Sequence, residues 1–270
     1  MLNYGFIGLG NMSGAIIKGM IDSKQFQPQQ IFGMNRSSEK TTKLVEELHI
    51  NGKSSIEELI TSVDVIILGV KPQNLDDILS EVNHLITPNQ IIISIAAGKN
   101  LDALSSKLPN AQSIFRVMPN INAIVGASTS CYSTDSTSVE DKRIVETIFS
   151  AVGTILELPE SQFSTFTTIA CASPAFSYLY IDSLARAAVK EGMRKDLALQ
   201  IAASSVLGSA KMISQATEHP WTLIDQVCSP GGTTIQGVTA LQQFGFERAI
   251  YEAVDAVSTR DAELNKKNKE

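Results

Sequence analysis

A chain of 270 residues, 43% hydrophobic and 19% charged, can bury a full core in one large or two modest domains. Its net charge of −6 argues against a nucleic-acid partner held by phosphate contacts. No long apolar run marks a membrane span and the start lacks the layout of a signal peptide, so a soluble cytoplasmic protein with no membrane partner is expected.

The first residues, Asn3-Tyr4-Gly5-Phe6-Ile7, form a short apolar run that ends in Gly8-Leu9-Gly10-Asn11-Met12-Ser13. Ala15, Ile16, Ile17 and Met20 then continue at helical spacing. Strand, glycine turn and helix in that order are the context of a dinucleotide fingerprint, in which Gly8 makes the turn and Gly10 lets a pyrophosphate approach the backbone. Ser13 stands where a third glycine is usual, with Gly14 and Ala15 beside it, so close packing of the helix falls to small residues. A purely structural glycine turn is the other reading of this stretch.

A second strand, Gln30-Ile31-Phe32-Gly33-Met34, runs into Asn35-Arg36-Ser37. An acid near this point would grip a ribose 2′-hydroxyl. An arginine among small polar groups suits a 2′-phosphate instead, which favours NADPH, with NADH as the alternative. The competing reading leaves Arg36 as a solvated loop charge.

Further strands follow at Val63-Asp64-Val65-Ile66-Ile67-Leu68-Gly69, Ile91-Ile92-Ile93-Ser94-Ile95 and Ile114-Phe115-Arg116-Val117. They end in Val70-Lys71-Pro72-Gln73-Asn74, Ala96-Ala97-Gly98 and Met118-Pro119-Asn120, and the first leads into a helix to about Leu85. Gly, Pro and small polar residues thus collect at the carboxyl ends of the strands, where open parallel sheets bind ligands. A strand pair around Ala127 to Tyr132 and Thr154 to Leu158, with a helix from about Val139 to Ala151 between, completes the sheet.

From Glu160 onward only helical periods remain, with breaks expected at Ala172-Ser173-Pro174, Glu191-Gly192, Glu218-His219-Pro220 and Gly245. These helices carry many small residues, including Ala187, Ala188, Ala202, Ala203, Gly208 and Ala210. Close packing within one protomer and an interface between subunits both account for them.

Within this half, Cys228-Ser229-Pro230-Gly231-Gly232-Thr233-Thr234-Ile235 combines a tight turn with several N–H groups and hydroxyls aimed at one place. Ile235, Val238, Leu241 and Phe244 follow at helical spacing, so the loop opens a helix whose positive end reinforces an anion receptor. The plainer reading is a Ser-Pro turn that caps an ordinary helix.

Other chemistries lack their residues. His49, His84 and His219 have no metal-ligand spacing, and no metal is expected. Cys131, Cys171 and Cys228 are odd in number and far apart, which fits reduced thiols. No Walker loop or nucleophile elbow is present, Trp221 reads as packing a helix start, and Lys266-Lys267-Asn268-Lys269 reads as a solvated tail.

Five stretches, Phe6 to Met12, Val70-Lys71-Pro72-Gln73, Ser94 to Gly98, Arg116-Val117-Met118-Pro119-Asn120 and Val227 to Thr234, resemble the pyrroline-5-carboxylate reductase family. The resemblance covers the whole chain in order, and its Ser-Pro-Gly-Gly-Thr-Thr block is specific. It implies an α/β Rossmann-type NAD(P)-binding domain over 1–158, followed by an all-α dimerisation and substrate domain over 159–270. It also implies a homodimer or a larger ring of dimers.

Carried over residue by residue, Ile7, Gly8, Leu9, Gly10, Asn11, Met12, Asn35, Arg36, Val70, Lys71, Pro72, Ile95, Ala96 and Ala97 would line the cofactor. Glu160, Gln226, Ser229, Gly231, Gly232, Thr233 and Thr234 would line the substrate. Ser173 departs from the family pattern, which has glycine before that proline; it is expected to cap the helix that Pro174 begins.

The implied reaction is reduction of 1-pyrroline-5-carboxylate to L-proline, the last step of proline biosynthesis. A cyclic imino acid needs an anion receptor, a group near its ring nitrogen and a hydride donor; the loop supplies the first two and NADPH the third. Thr234 is the expected catalytic residue, positioning and polarising the nitrogen without ionising. Two other readings stay open. Another two-domain oxidoreductase would use a lysine facing the nicotinamide, with Lys190 and Lys211 as candidates. A non-catalytic NADP-binding regulatory homologue would be expected to lose the anion loop.

Overall fold

The computed structural model describes residues 1–267, apart from the side chains of residues 38–40 and 265–267, so the basic tail falls outside the described side chains. The first part of the chain alternates strands and helices: β1 (Tyr4–Ile7), α1 (Asn11–Asp22), β2 (Ile31–Met34), α2 (Ser38–Leu48), β3 (Asn51–Gly52), α3 (Ile56–Ile60), β4 (Val65–Leu68), α4 (Pro72–Asn83), β5 (Ile91–Ser94), α5 (Leu101–Lys107) and β6 (Ser113–Met118). Then come β7 (Ser128–Thr134), α6 (Val139–Ser150) and β8 (Gly153–Glu157). They build one eight-stranded sheet in the order β3-β2-β1-β4-β5-β6-β7-β8. Only β6 and β7 run antiparallel, joined by the short 3-10 segment Ile121–Val125 where every other neighbour pair in sequence is separated by a crossover.

Both faces of the sheet are covered, which is why its central strands read as unbroken apolar runs. Phe6, Val65, Ile67, Ile91 and Ile93 pack on one side with Ile16, Ile17 and Met20 of α1 and with Val145 and Phe149 of α6. Ile7, Ile66, Leu68, Ile92 and Ile114 pack on the other with Leu59 of α3, Leu75 and Leu79 of α4 and Leu104 of α5. The alternate side chains of each strand therefore feed two separate cores, and each fully buried Ile or Leu stabilises the fold by about 1.5–3 kcal/mol.

The rest is helical: α7 (Phe163–Phe166), α8 (Ser173–Lys190), α9 (Lys195–Gln215), α10 (Pro220–Val227), α11 (Thr233–Gln243) and α12 (Phe246–Lys267). The chain forms two compact units, one running to Cys171 and regaining the chain from Glu263, the other spanning Ala172–Ala262. The second unit's buried cluster is three alanines, Ala185, Ala198 and Ala202, flanked by Ile181 and Ala188. Its large apolar side chains lie open, with Leu207 71%, Tyr251 73% and Phe244 86% exposed. Helix α9 meets the length and hydropathy of a membrane span, with 11% of its most apolar window buried. This differs from the absence of a long apolar run expected from the sequence, because alanines and serines interrupt the larger apolar residues of α9.

The break expected at Ala172-Ser173-Pro174 does not occur. The chain stays helical from Phe163 to Lys190 by passing through a π-helical segment, Thr167–Ala172. Pro174 cannot donate the bond that an α-helix sends to the carbonyl four residues earlier, that of Ala170. Asn120 does so from outside: its Nδ2 donates to the Ala170 carbonyl at 2.8 Å, while its Oδ1 accepts from the Thr129 amide at 3.2 Å. Ser173 is the first residue inside α8, and Ala172 occupies the capping position with helical dihedrals, so Ser173 does not cap as expected. Because Asn120 is 4% exposed, Asn120→Ala takes this partner from the buried Ala170 carbonyl and from the part-buried Thr129 amide. Chemical denaturation should show a loss of about 1–3 kcal/mol; an unchanged midpoint would remove Asn120 from this role.

Candidate active site

The candidate cofactor residues gather at the carboxyl ends of β2, β1, β4 and β5, which are consecutive neighbours in the sheet. At Gly8 the backbone takes φ +96°, and a Cβ there would stand 2.8 Å from the Gly69 carbonyl oxygen, so the turn admits only glycine. The Gly8 amide donates to the Met34 carbonyl and the Gly69 amide to the Ile7 carbonyl, each at 2.9 Å, which locks the ends of three strands together.

Gly10 is the N-cap of α1, carries no side-chain cap, and has open space where a Cβ would be. The first N–H groups of α1 thus face outward with no protein group on them, a fit for the pyrophosphate of a dinucleotide. Ser13, 1% exposed, answers the question posed by the absent third glycine: its Oγ lies over Gly69, whose missing side chain leaves the room. That Oγ has no hydrogen-bond partner.

Asn35 and Arg36 follow β2, with Asn35 Oδ1 accepting from the Arg36 amide at 3.1 Å and the Arg36 side chain exposed. Lys71 is the N-cap of α4 and Pro72 its first residue. Ile95 follows β5, its amide bonded to the Leu68 carbonyl at 3.1 Å, and Ala96 is buried beside it while Ala97 is exposed.

Glu160 belongs to the same unit, in the short 3-10 turn Glu160–Gln162. Its Oε1 accepts from the Leu101 amide and from Arg116 Nη1, both at 2.8 Å. The Arg116 guanidinium lies 4.5 Å from the centroid of the Phe163 ring. Arg116 stands in β6 between Phe115 and Val117, and in the sequence it shows only as part of the Arg116-Val117-Met118-Pro119-Asn120 motif. A cation between two fully buried apolar neighbours was the available signal.

The remaining candidates lie in the helical unit. Gln226 is in the last turn of α10, and the loop after it turns at Gly231 with φ +70°. The Gly232 amide donates to the Ser229 carbonyl at 3.0 Å, and a Cβ on Gly232 would collide with Ser229 Oγ. Thr233 and Thr234 are the first two residues of α11, with Gly232 as an uncapped N-cap. Ser229, Gly231, Gly232, Thr233 and Thr234 are therefore brought together at a helix start that has free N–H groups and no acidic residue in its first turn.

Elsewhere the chemistry is quiet. Burial pushes the Cys131 thiol up to about 12 and that of Cys171 to about 11, so neither supplies a thiolate near neutral pH. His219 Nδ1 accepts from the Trp221 amide at 3.3 Å and caps α10. Lys190 lines a cavity of about 380 Å³ between α8 and α9 with Lys195 and Leu199. No group of acids, histidines and cysteines able to hold a metal occurs among the described residues.

A glycine turn at the carboxyl edge of a doubly covered parallel sheet, followed by an all-helical unit, marks a Rossmann-type, dinucleotide-dependent oxidoreductase. Residues 160–264 match the family described as pyrroline-5-carboxylate reductase dimerisation, and residues 3–98 match that described as NADP oxidoreductase, coenzyme F420-dependent. Pyrroline-5-carboxylate reductase of Escherichia coli is 38% identical over 263 residues, covering 97% of this chain and 98% of that protein. A solved pyrroline-5-carboxylate reductase from Coxiella burnetii superposes with a TM-score of 0.91 at 28% identity, covering 97% of this chain and 98% of that one. The pyrroline carboxylate reductase of Plasmodium falciparum, crystallised with NADP bound, gives 0.83 at 29% identity over 98% of both chains. The chain belongs to the pyrroline-5-carboxylate reductase family.

The contact between Ser13 and Gly69 is testable. A methyl group on Gly69 would overlap Ser13 Oγ and stand 2.9 Å from the Gly8 carbonyl oxygen. Gly69→Ala should cost about 1–3 kcal/mol in chemical denaturation and weaken NADPH binding. Adding Ser13→Gly should restore part of the stability; a single variant as stable as the parent would contradict the packing described.

Proposed function

We propose that this protein reduces 1-pyrroline-5-carboxylate to L-proline with NADPH, the final step of proline biosynthesis. The observation that carries the reading is the Ser229–Thr234 turn, whose glycines are each required by geometry and whose free N–H groups open α11. The full-length likeness to a reductase named for this substrate, and to a relative crystallised with NADP, supports it.

In this reading the N–H groups of the loop hold the substrate carboxylate, together with the Ser229 and Thr233 hydroxyls, and Gln226 and Glu160 are further substrate-binding residues. The Thr234 hydroxyl orients the imine nitrogen, accepting from it when protonated and settling the amine formed, without giving up a proton of its own. NADPH, when bound, supplies the hydride. Gly8, Leu9, Gly10, Asn11 and Met12 receive its pyrophosphate at the start of α1. Ile7, Val70, Lys71, Pro72, Ile95, Ala96 and Ala97 border it, while Asn35 and Arg36 take the 2′-phosphate.

The functional division falls at residue 158, with the cofactor held before it and the substrate after it. The open apolar surface of the helical unit, in a region that matches a dimerisation family, supports a homodimer as the working form, alone or within a ring of dimers. The acidic charge and the biosynthetic relatives support a cytoplasmic setting without nucleic-acid or membrane partners.

The deciding experiment measures NADPH consumption with pyrroline-5-carboxylate against pyrroline-2-carboxylate and small 2-keto acids. Preference for either of the latter would overturn the substrate assignment. Thr234→Ala should lower turnover about 10- to 1000-fold with NADPH affinity nearly unchanged, and Thr234→Ser should recover most of it. Arg36→Ala should weaken NADPH far more than NADH, by about 1.5–3 kcal/mol of lost charge-assisted contact. Equal losses for both cofactors would take Arg36 out of the phosphate site.

A further inference from the structure

Arg116 is an unusual residue to find in the middle of a sheet. Its neighbours Phe115 and Val117 are 0% and 1% exposed, its own side chain is 13% exposed, and its Nε is buried with no partner. An arginine left with an unmade bond contributes less to stability than its ion pair suggests, and apolar replacements of buried ion pairs are often tolerated. Stability alone does not explain it.

What it does is grip one short stretch of chain twice. Nη1 binds Glu160 Oε1 at 2.8 Å, and the guanidinium carbon lies 4.5 Å from the ring centroid of Phe163, three residues further along at the start of α7. The Leu101 amide holds the same Oε1 at 2.8 Å. One carboxylate oxygen of Glu160 is thus saturated by two donors from two different elements, whereas Oε2 makes no hydrogen bond among the described residues. The side chain of Glu160 remains 26% exposed. A glutamate held in this way has one rotamer and one oxygen to offer.

We infer that Arg116 is a positioning residue for the reduction: it fixes Glu160 and leaves Oε2 alone available to the cyclic imino acid, and it acts through Glu160 without touching the substrate. This rests on the assignment of Glu160 to the substrate site made above. One guanidinium nitrogen bonds the carboxylate while the same group sits over the Phe163 ring, a pairing that a lysine ammonium does not reproduce, so lysine is a poor substitute even though it keeps the charge.

The test is a double-mutant cycle on the full-length protein with Arg116→Met, Glu160→Gln and the pair, read as kcat/KM for pyrroline-5-carboxylate, NADPH affinity by fluorescence quenching, and thermal unfolding. Arg116→Met should lower kcat/KM by about 10- to 100-fold, the loss typical of a misplaced site group. NADPH affinity should stay within about threefold, and Arg116→Lys should recover only part of the loss. In the Glu160→Gln background, Arg116→Met should cost less than about threefold more, because the residue it acts through has already been disabled. The same fold-loss in both backgrounds would overturn the inference, since Arg116 would then act on its own. A parallel fall in NADPH affinity would overturn it too, as a general structural effect. If Arg116→Met does not fold, Arg116→Lys carries the same cycle. A parent enzyme inactive on pyrroline-5-carboxylate would defeat the functional reading first, whereas an active parent with additive variants would defeat only the role of Arg116.

Discussion

The approach of β1 to β4 at Gly8 and Gly69 is the constraint on which the cofactor side of this protein depends. Neither position has room for a side chain, and the amides at this point tie β2 to β1 and β1 to β4. Closing that gap lets α1 rise directly from the strand end with its first N–H groups uncovered, and lets Ser13 sit where a larger residue would wedge the helix away. A helix start is useful to an anion only if nothing else uses its donors. Here the sheet itself keeps them clear.

On the far half of the sheet, β6 and the turn after it play a different part. Arg116 and Asn120 reach from there to Glu160, Phe163 and Ala170, the stretch through which the chain passes on its way to the helical unit. Hydrophobic contact is non-directional and would leave such a stretch free to slide. Hydrogen bonds to a carboxylate and to a carbonyl orphaned by proline specify where each residue stops. The two cores supply the stability, and these few polar bonds supply the placement.

How much of this could be read from the sequence follows from the range of the interactions. The central strands announced themselves because burial on both faces demands continuous apolar runs, and the start of α11 because two threonines after two glycines can do little else. Strand β3 went unseen: Asn51-Gly52 has no strand propensity and exists through pairing with Phe32 and Gly33. The continuity through Pro174 was hidden because the donor that replaces its missing N–H, Asn120, lies far away in the chain. Arg116 and Glu160 both stand out in the sequence, yet nothing local connects residues 44 positions apart. Periodicity reports which face is buried; it is silent on which buried polar groups meet.

The helical unit closes around little more than three alanines and leaves Leu207, Phe244 and Tyr251 in the open. A unit built this way has almost no private reserve of hydrophobic stabilisation. If a second copy of the chain covers those side chains, as proposed above, it enters the folding equilibrium by mass action, and the midpoint of unfolding would become a function of protein concentration. Dilution would then act as a denaturant for the unit spanning Ala172–Ala262, while the doubly covered sheet, complete within a single polypeptide, would be indifferent to it.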